Sequence, residues 1–371
     1  MDFLSKNHEV TVYTSNADDL NSFWNKNGKK TEEIEKQNYK IKRYPILIPD
    51  KVTKNLYSFP FSISVPGPFC PQMWEDLLNM KEKFDLIIAT SFPYDHIVPA
   101  FVASQKYRVP LITLPHLHLE YPELYLTGLR ITLLAESAAI VVNTNSEKRA
   151  LLNYHIPESK IHVIPPGINI SLVKKDTYDD FRKQFGINHD SIVILFAGLK
   201  SPTKGVINLI ESLKTLWHKY HDLEIVFIGP STKEFENYLK KQDRQHLRHI
   251  HDLGVVSEEL KWAAFSSCDI FALPSKSESF GLGYLEAWLN KKPVIGCNIE
   301  AVSDLVETAK DGLLVEFGNI TQLSETIEKL LDAPVRSKLG ENGFKKLVTH
   351  YDSEKLCRQF ENLCLSFQHG I

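Results

Sequence analysis

Short apolar runs recur along the whole chain, with stretches of helical periodicity between them. The first half carries HEVTVYTS, YKIKRYPI, FDLIIATS, VPLITLPH, AAIVVNTNS and KIHVIPP, and the second half carries SIVILFAG, EIVFIG, IHDLG, CDIFALPS, PVIGCN and GLLVEF. A strand that is apolar on both faces must be covered by helices on both sides, so these runs predict parallel sheets in an α/β protein. They are too short to cross a bilayer, and their alternation with helices does not fit a β-sandwich.

The series of strands pauses once, at PPGINISLVKKDTYDDFRKQFGIN. Proline and glycine end a strand there, and a polar helical stretch follows before the next strands. Because 371 residues exceed the usual size of a single core, we predict a first domain over residues 1–170 and a second over 171–345. Residues 346–371 end in the apolar periodicity of one helix face, and we expect this helix to return toward the first domain.

Charge and cysteine content narrow the function classes. The net charge of −3 and the pI near 6.5 provide no overall attraction for nucleic acid, so no nucleic-acid partner is predicted. The five cysteines are scattered and lack the paired spacing of zinc or redox sites, and the first residues do not have the apolar core of a signal peptide. These features predict a cytoplasmic protein and leave peripheral contact with a membrane open.

The segment SKSESFGLGYLEA places two carboxylates around a glycine-containing turn. Glu278 follows a strand directly, and Glu286 lies inside the next helix. Ligands of open α/β sheets bind at the carboxyl ends of strands, and a helix N-terminus attracts anions. This turn from strand to helix therefore predicts a diphosphate site. Gly281 and Gly283 are expected to let a phosphate approach the main chain. The alternative is that both glutamates are solvated and favourable near a helix start for electrostatic reasons alone.

The longer segment PSKSESFGLGYLEAWLNKKPVIG resembles the donor-site signature of the family-4 retaining glycosyltransferases of the GT-B fold. Other segments resemble that family in the same order, namely KIHVIPPGIN, GLKSPTKG, DLGVVSEELKWAAFSSCDIF and DLVETAKDGLLVEFGN. The resemblance covers almost the whole chain from Asn7 onward. It implies two Rossmann-like, doubly wound parallel-sheet domains that face a central cleft.

The resemblance assigns roles to the residues around the signature. It implies that Glu278 contacts the donor sugar and that Glu286 binds the ribose of the nucleotide. The N–H groups of Phe280, Gly281 and Leu282 would face the diphosphate.

The loop GLKSPTKG resembles the family's phosphate-binding loop. The resemblance implies that Lys204 binds phosphate within a loop that begins at Gly198, whereas a solvent-exposed lysine in a turn is the alternative. Leu199 stands where the family usually has arginine. Lys200 is the candidate to replace that arginine, although an ammonium group does not offer the same bidentate geometry.

His116 ends the run VPLITLPH and resembles the family's histidine near the reacting carbon. The resemblance implies that it binds or orients the donor sugar, so we predict His116 and Glu278 as catalytic residues. His118 and Glu120 alternate with His116 and could share its face, but no fourth ligand for a metal is suggested. A plain surface histidine is the alternative.

Two aromatic segments, YSFPFSISVPGPFCPQMW and HLEYPELYLTG, are candidates for the acceptor side. Sugars stack on aromatic faces, and lipid-linked acceptors need apolar surfaces. Packing beneath long loops explains the same segments equally well.

We therefore predict a retaining, hexosyltransferase-type enzyme that moves a sugar from a nucleotide-diphosphate sugar to a hydroxyl of a glycan, a lipid-linked acceptor or a small molecule. No cofactor and no metal are predicted, because lysine and a helix N-terminus can neutralise the phosphates. The alternatives are a nucleotide-sugar epimerase or phosphorylase of the same fold and a non-catalytic nucleotide-sugar-binding protein. A nicotinamide-dependent dehydrogenase is disfavoured, because no G-x-G-x-x-G follows a strand.

The family usually begins with a strand and a glycine-rich loop, whereas MDFLSKNHEV resembles the helix that follows them. That strand is central in a doubly wound sheet, so its neighbours would lose their pairing partner. We expect a chain that begins at Met1 to have low stability and weak or no transfer activity.

Overall fold

The computed structural model describes residues 1–17, 31–36, 38–47, 68–172 and 178–367. Most of the aromatic segment YSFPFSISVPGPFCPQMW lies outside these residues. In the part of the chain that is described, no helix is both long enough and apolar enough to span a membrane.

The first half forms two separate sheets. Its strands are β1 (Thr11–Ser15), β2 (Glu32–Glu35), β3 (Lys40–Tyr44), β4 (Ile87–Thr90), β5 (Leu111–Leu114), β6 (Ala139–Val142) and β7 (Ile161–Val163). The strand orders are β1-β3-β2 and β4-β5-β6-β7, and all pairs are parallel except β2 with β3. Among the described residues no pairing joins β1 to β4, and the two sheets approach each other through the rings of Tyr13 and Phe84, 6.5 Å apart.

Helices connect these strands. They are α1 (Pro71–Leu78), α2 (Ile97–Tyr107), α3 (Pro122–Tyr125), α4 (Gly128–Glu136) and α5 (Asn145–Asn153), with short 3-10 turns at Leu4–Lys6, Glu158–Lys160 and Ile170–Leu172.

The second half forms one parallel sheet. Its strands are β8 (Ile192–Ala197), β9 (Leu223–Ile228), β10 (Ile250–Asp252), β11 (Ile270–Leu273), β12 (Val294–Cys297) and β13 (Gly312–Val315). Its order is β10-β9-β8-β11-β12-β13, so the chain runs outward from β8 to one edge and then returns to the middle at β11. This doubly wound order confirms the predicted fold class, and it places the topological switch point between β8 and β11.

Helices cover both faces of this sheet, which explains why its central strands are apolar on both sides. They are α6 (Tyr178–Gln184), α7 (Val206–Trp217), α8 (Lys233–Leu239), α9 (Arg244–Leu247), α10 (Glu258–Ser267), α11 (Leu282–Leu289), α12 (Glu300–Leu305), α13 (Ile320–Lys329) and α14 (Ala333–His350), with a 3-10 turn at Pro202–Lys204. Ile194, Leu195 and Phe271 are completely buried between the sheet and these helices.

The last helix, α15 (Ser353–Leu365), packs on the sheet of the first half. Its apolar side chains Leu356, Phe360 and Leu363 contact the cluster that contains Ile112 and Val141. α14 continues through position 345 to His350, and two residues separate it from α15.

Candidate functional site

The loops that follow β8 and β11 lie side by side at the switch point of the sheet. The N–H of Lys276 donates to the carbonyl of Thr203 at 2.8 Å, which joins the two loops directly. Gly205 lies against Pro274, so the start of α7 and the end of β11 are in contact. Two segments that are about seventy residues apart in sequence therefore form one corner of the cleft.

Lys204 and Glu278 meet at this corner. The amino group of Lys204 lies 2.7 Å from a carboxylate oxygen of Glu278 and also donates to the carbonyl of Ser277 at 3.1 Å. The side chain of Glu278 is 11% exposed and that of Lys204 is 25% exposed, so the pair is only partly screened by water. The corner thus combines one cation that can bind phosphate with one carboxylate that can accept from hydroxyl groups.

The start of α11 completes the corner. Gly281 is the N-cap residue, and the first N–H groups of a helix have no partner within the helix. Leu282 is half exposed, whereas Phe280 is buried against the ring of Tyr351. The N-terminus of α11 is therefore accessible on the side of Leu282 and carries the positive end of the helix dipole.

The glycines of the signature leave no room for a side chain inside the protein, and the expectation that they let a phosphate approach the main chain stays a prediction. A Cβ atom on Gly281 would lie 2.5 Å from the ring of Tyr284, and Gly281 also has a positive φ of 94°. A Cβ atom on Gly283 would lie 2.7 Å from the ring of Phe271. Gly283 lets α11 approach Phe271 of β11 closely, and Gly281 leaves room for the ring of Tyr284 in the same helix.

Glu286 lies one turn further along α11 and pairs with Lys261 of α10, with 3.0 Å between the amino group and the carboxylate. Burial raises the pKa of Glu286, and the neighbouring Lys261 lowers it in part. A carboxylate with few partners inside a half-buried site binds hydroxyl donors readily. Lys261 was not identified from the sequence, since a lysine on an amphipathic helix carries no distinctive pattern.

Lys200 is placed differently from Lys204. Its side chain is fully buried, its amino group forms an ion pair with Asp252 at the end of β10, and it lies 5.9 Å from the ring centre of Phe235. The phosphate contact suggested for Lys200 would require this ion pair to open. Gly198 follows β8, and its backbone lies close to Gly229, which follows β9. A Cβ atom on Gly229 would lie only 2.2 Å from the carbonyl oxygen of Gly198.

His116 follows β5 and has a positive φ of 51°, which is unusual for a residue other than glycine. Its Nε2 lies 3.0 Å from the hydroxyl of Thr90, and its Nδ1 lies 3.1 Å from the side-chain amide of Asn143. Burial lowers the pKa of His116, so the ring is neutral at physiological pH. Strained backbone of this kind is found most often at functional sites.

His118 and Glu120 both contact the signature loop across the cleft. Nδ1 of His118 lies 2.7 Å from the hydroxyl of Ser277, and that hydroxyl donates to the carboxylate of Glu120 at 2.9 Å. Ser277 immediately precedes Glu278, so these contacts join the two halves of the chain beside the Lys204–Glu278 pair. The serine was missed because the signature specifies the glutamate and not the residue before it.

The three residues considered for a metal do not converge. His116 contacts Thr90 and Asn143, whereas His118 and Glu120 contact Ser277. Within the described ranges, no group of three or more histidine, cysteine, aspartate or glutamate side chains is arranged to hold a metal ion.

A second contact joins the two halves near α5. A carboxylate oxygen of Asp304, in α12, accepts from the backbone N–H and the hydroxyl of Ser146 at 2.6 and 2.7 Å. Asp304 therefore occupies the N-terminus of α5, where a negative charge is favourable.

A cavity of about 580 Å³ lies beside these interdomain contacts. Its lining includes Leu119, Leu126, Leu152, Arg149, Tyr154 and Glu300. Leu119 lies between His118 and Glu120 in the chain, and Arg149 of the lining pairs with Asp304 at 3.5 Å. Its volume is in the usual range of small-molecule sites.

Acid is expected to destabilise the protein through its buried histidines. Burial lowers the pKa of His116 and His249, and burial, together with the charges of Lys204 and His116, lowers the pKa of His118 to about 4. A histidine in the unfolded chain titrates near pH 6.5, so below that pH the unfolded chain binds protons that the folded chain excludes. The stabilisation is complete above about pH 6.5 and is lost progressively as the pH falls toward 4.

Melting temperatures at pH 7, 6 and 5 test this expectation. Between pH 7 and pH 5 the melting temperature of His118→Asn is expected to fall less than that of the wild-type protein, because one of these histidines has been removed. The exposed His155, replaced in the same way, serves as the control and is expected to follow the wild-type curve. Parallel curves for wild type and His118→Asn would contradict the role of His118.

Two family models match the chain. Residues 2–172 match the model described as Glycosyltransferase Family 4, and residues 177–346 match the model described as glycosyl transferases group 1. The two matches adjoin near the pause in the strand pattern and together cover nearly all of the chain.

Relatives and solved structures agree with these matches. The capsular polysaccharide biosynthesis glycosyltransferase CapM of Staphylococcus aureus is 26% identical, over 78% of this chain and 79% of CapM. A D-inositol 3-phosphate glycosyltransferase of Stackebrandtia nassauensis is 27% identical, over 65% of this chain and 59% of the relative. Among solved structures, Anabaena HepE in complex with UDP and glucose has a TM-score of 0.72 at 20% identity, over 97% of this chain and all of HepE.

Proposed function

The chain belongs to the family-4 glycosyltransferases of the GT-B fold, and from this membership we propose that it transfers a hexosyl group with retention of the anomeric configuration. The donor is a nucleotide-diphosphate sugar, and the acceptor is a hydroxyl group. The observation that carries the proposal is the ion pair of Lys204 with Glu278 at the switch point, in the loop that leads into α11.

The diphosphate of the donor binds between Lys204 and the N-terminus of α11. As the bond from the sugar to the diphosphate breaks, negative charge develops on the leaving oxygen. The amino group of Lys204 and the N–H groups of Gly281 and Leu282 stabilise that charge. These groups supply positive charge without a metal, so no metal ion takes part in the proposed reaction.

The carboxylates bind different parts of the donor. Glu286 accepts hydrogen bonds from the ribose hydroxyls in addition to its ion pair with Lys261. Glu278 accepts from hydroxyls of the transferred sugar, next to the lysine that binds the phosphate. His116 lies on the opposite side of the cleft and orients the sugar from there.

The acceptor binds on the side of the first domain. The cavity beside Leu119 offers apolar side chains together with the charged groups of Arg149 and Glu300. The relatives CapM and the inositol 3-phosphate enzyme are named for carbohydrate biosynthesis and for a phosphorylated cyclitol, respectively. A sugar, a cyclitol or a lipid-linked sugar is the class of acceptor that these observations favour.

We place the enzyme in the cytoplasm, because all five cysteines are free thiols.

A screen of donors tests the proposed function. Nucleotide sugars are first tested for an increase in melting temperature, beginning with UDP-glucose because HepE binds UDP and glucose. Donors that bind are then incubated with glycan, cyclitol and lipid-linked acceptors, and the anomeric configuration of each product is determined by NMR. Retention supports the proposal and inversion contradicts it. Epimerised donor without acceptor would favour an epimerase, and tight binding without turnover over the whole panel would favour a non-catalytic binding protein.

The two carboxylates are expected to respond differently to mutation. Glu286→Gln is expected to raise the dissociation constant of the nucleotide about tenfold, because it loses a charged acceptor for the ribose hydroxyls. Glu278→Ala is expected to lower kcat about a hundredfold with a smaller effect on nucleotide binding, because its contact is with the reacting sugar. Calorimetry and initial rates measure both effects.

The exposed Glu325, on α13, replaced by glutamine provides the control and is expected to bind and react like the wild-type protein. Equal losses of binding and rate in both cleft variants would contradict the division of roles between Glu278 and Glu286.

A further inference from the structure

Glu147 is a fully buried carboxyl group that lies just behind His116. It stands in the first turn of α5, and its two oxygens face three N–H donors. The backbone N–H of Asn143 donates to one oxygen at 3.0 Å, and the side-chain amide of Asn143 donates to the other at 3.2 Å. The backbone N–H of Leu117, the residue after His116, is the third donor.

Helix capping alone does not explain these contacts. The sequence Thr144-x-x-Glu147 is a capping box, in which the glutamate usually reaches back to the N–H of the capping residue. Thr144 does cap α5, since its hydroxyl accepts from the N–H of Glu147 at 3.1 Å. Glu147, however, contacts Asn143 and Leu117, and these residues belong to the two loops that carry the surroundings of His116.

The side-chain amide of Asn143 connects Glu147 to His116. Its nitrogen lies 3.2 Å from the carboxyl of Glu147 and 3.1 Å from Nδ1 of His116. An amide nitrogen has two hydrogens, so it can donate to both groups at once. With Glu147 ionised, the flipped amide would turn its oxygen toward a carboxylate oxygen, which is repulsive. Glu147 therefore determines that Asn143 presents a donor to His116.

The orientation of the amide determines the tautomer of His116. When Nδ1 accepts from Asn143, the single proton of the neutral ring must be on Nε2. Nε2–H then donates to the hydroxyl of Thr90 at 3.0 Å, and an oxygen of the donor sugar would replace that hydroxyl as the acceptor. Because burial lowers the pKa of His116, the ring is neutral and its tautomer matters.

Burial and hydrogen bonding act against each other on Glu147. Burial raises the pKa of its carboxyl to about 8, while the donors from Asn143 and Leu117 lower it. The acceptor role of Glu147 toward Asn143 belongs to the ionised carboxyl, which predominates above about pH 8, so the tautomer of His116 is measured there.

We propose that Glu147 is a positioning residue that fixes the Nε2–H tautomer and the ring orientation of His116 through the side-chain amide of Asn143. The proposal rests on the function proposed above, in which His116 orients the donor sugar. Glu147 itself does not touch the substrate. Its effect is to keep a hydrogen-bond donor at Nε2 of His116.

Histidine-selective ¹⁵N NMR measures the tautomer directly, with the signal of His116 assigned by its loss in His116→Asn. In the wild-type protein we expect the Nε2–H tautomer. Glu147→Gln places a donor beside Asn143 and permits the amide to flip, so we expect the Nδ1–H tautomer to become populated. We also expect kcat to fall about tenfold with little change in the KM of the donor.

Thr144→Ala is the matched control, because it removes a cap from the same helix without touching Asn143 or His116. It is expected to lower the melting temperature and to leave the tautomer and kcat unchanged. Asn143→Ala removes the connecting amide and is expected to reproduce the tautomer change, so it replaces Glu147→Gln as the test variant should the latter not fold.

The outcomes are distinguishable. A wild-type tautomer in both Glu147→Gln and Asn143→Ala would overturn the proposal, as would an activity loss in Thr144→Ala equal to that in Glu147→Gln. If the tautomer shifts as expected while His116→Asn retains full transfer activity, the positioning role of Glu147 stands and the role proposed for His116 fails.

Discussion

Replacing Lys204 with methionine is expected to lower kcat/KM for sugar transfer by about 10² to 10³-fold, the size of effect seen when one preorganised donor to a developing anion is removed. Methionine keeps most of the aliphatic length of lysine but cannot donate or carry charge. The loss is expected mainly in kcat, because the charge on the leaving diphosphate is greater in the transition state than in the bound donor. Initial rates at varied donor concentration separate kcat from KM.

Lys276→Met provides the matched control. Lys276 lies in the same corner, and its backbone joins the two loops, but its side chain is exposed. The control is expected to retain kcat within about twofold, since exposed charges contribute little. If Lys276→Met and Lys204→Met lose activity equally, the effect comes from the net charge of the cleft and Lys204 has no specific role.

The strands were predictable from the sequence because burial on both faces is a local property. Each apolar run named in the sequence corresponds to one strand of the structure. β2 was missed, because EEIE has no apolar run and is an antiparallel strand with mostly exposed side chains. Its pairing with β3 places Glu33 directly opposite Lys42, and the two charges are 4.0 Å apart.

The side chains that contact the site residues were less predictable from the sequence than the site residues themselves. The sequence indicates that Lys200 and Glu147 are polar, but it does not show that Asp252 neutralises Lys200 or that Asn143 connects Glu147 to His116. These contacts form between the ends of different strands, and their geometry depends on how the sheets twist and stack. A motif identifies residues that must be present, whereas the fold determines which of them meet.

The contacts of the glycines were also not predictable from the sequence. The sequence shows that a glycine occupies a position, but sterics inside the fold decide the reason. At Gly281 the neighbour is Tyr284 of the same helix, and at Gly283 it is Phe271 of β11. At Gly205 the start of α7 contacts Pro274, at the strand end that leads to Glu278. The corner therefore depends on close approach between backbone segments, and this approach can be tested at Gly205.

Gly205→Ala is expected to reduce the free energy of unfolding by about 3 kcal/mol or more. Gly205 has a φ of 77°, a conformation that costs an L-residue roughly 1 to 2 kcal/mol. In addition, the new Cβ would lie 2.1 Å from the carbonyl oxygen of Pro274, which cannot move without shifting the end of β11. The same shift would separate Lys204 from Glu278, so kcat is expected to fall with stability.

Gly186→Ala separates the effect of the positive φ from the effect of the clash with Pro274. Gly186 has a φ of 65°, close to that of Gly205, but no atom lies within 4 Å of the position of its Cβ. The free energy of unfolding of Gly186→Ala is expected to fall by only about 1 kcal/mol, and its activity is expected to stay unchanged. This variant has the unfavourable backbone conformation but not the clash. Urea unfolding gives both free energies. Equal destabilisation by the two substitutions would mean that the contact between Gly205 and Pro274 is loose, and the corner that holds Lys204 beside Glu278 would then not depend on it.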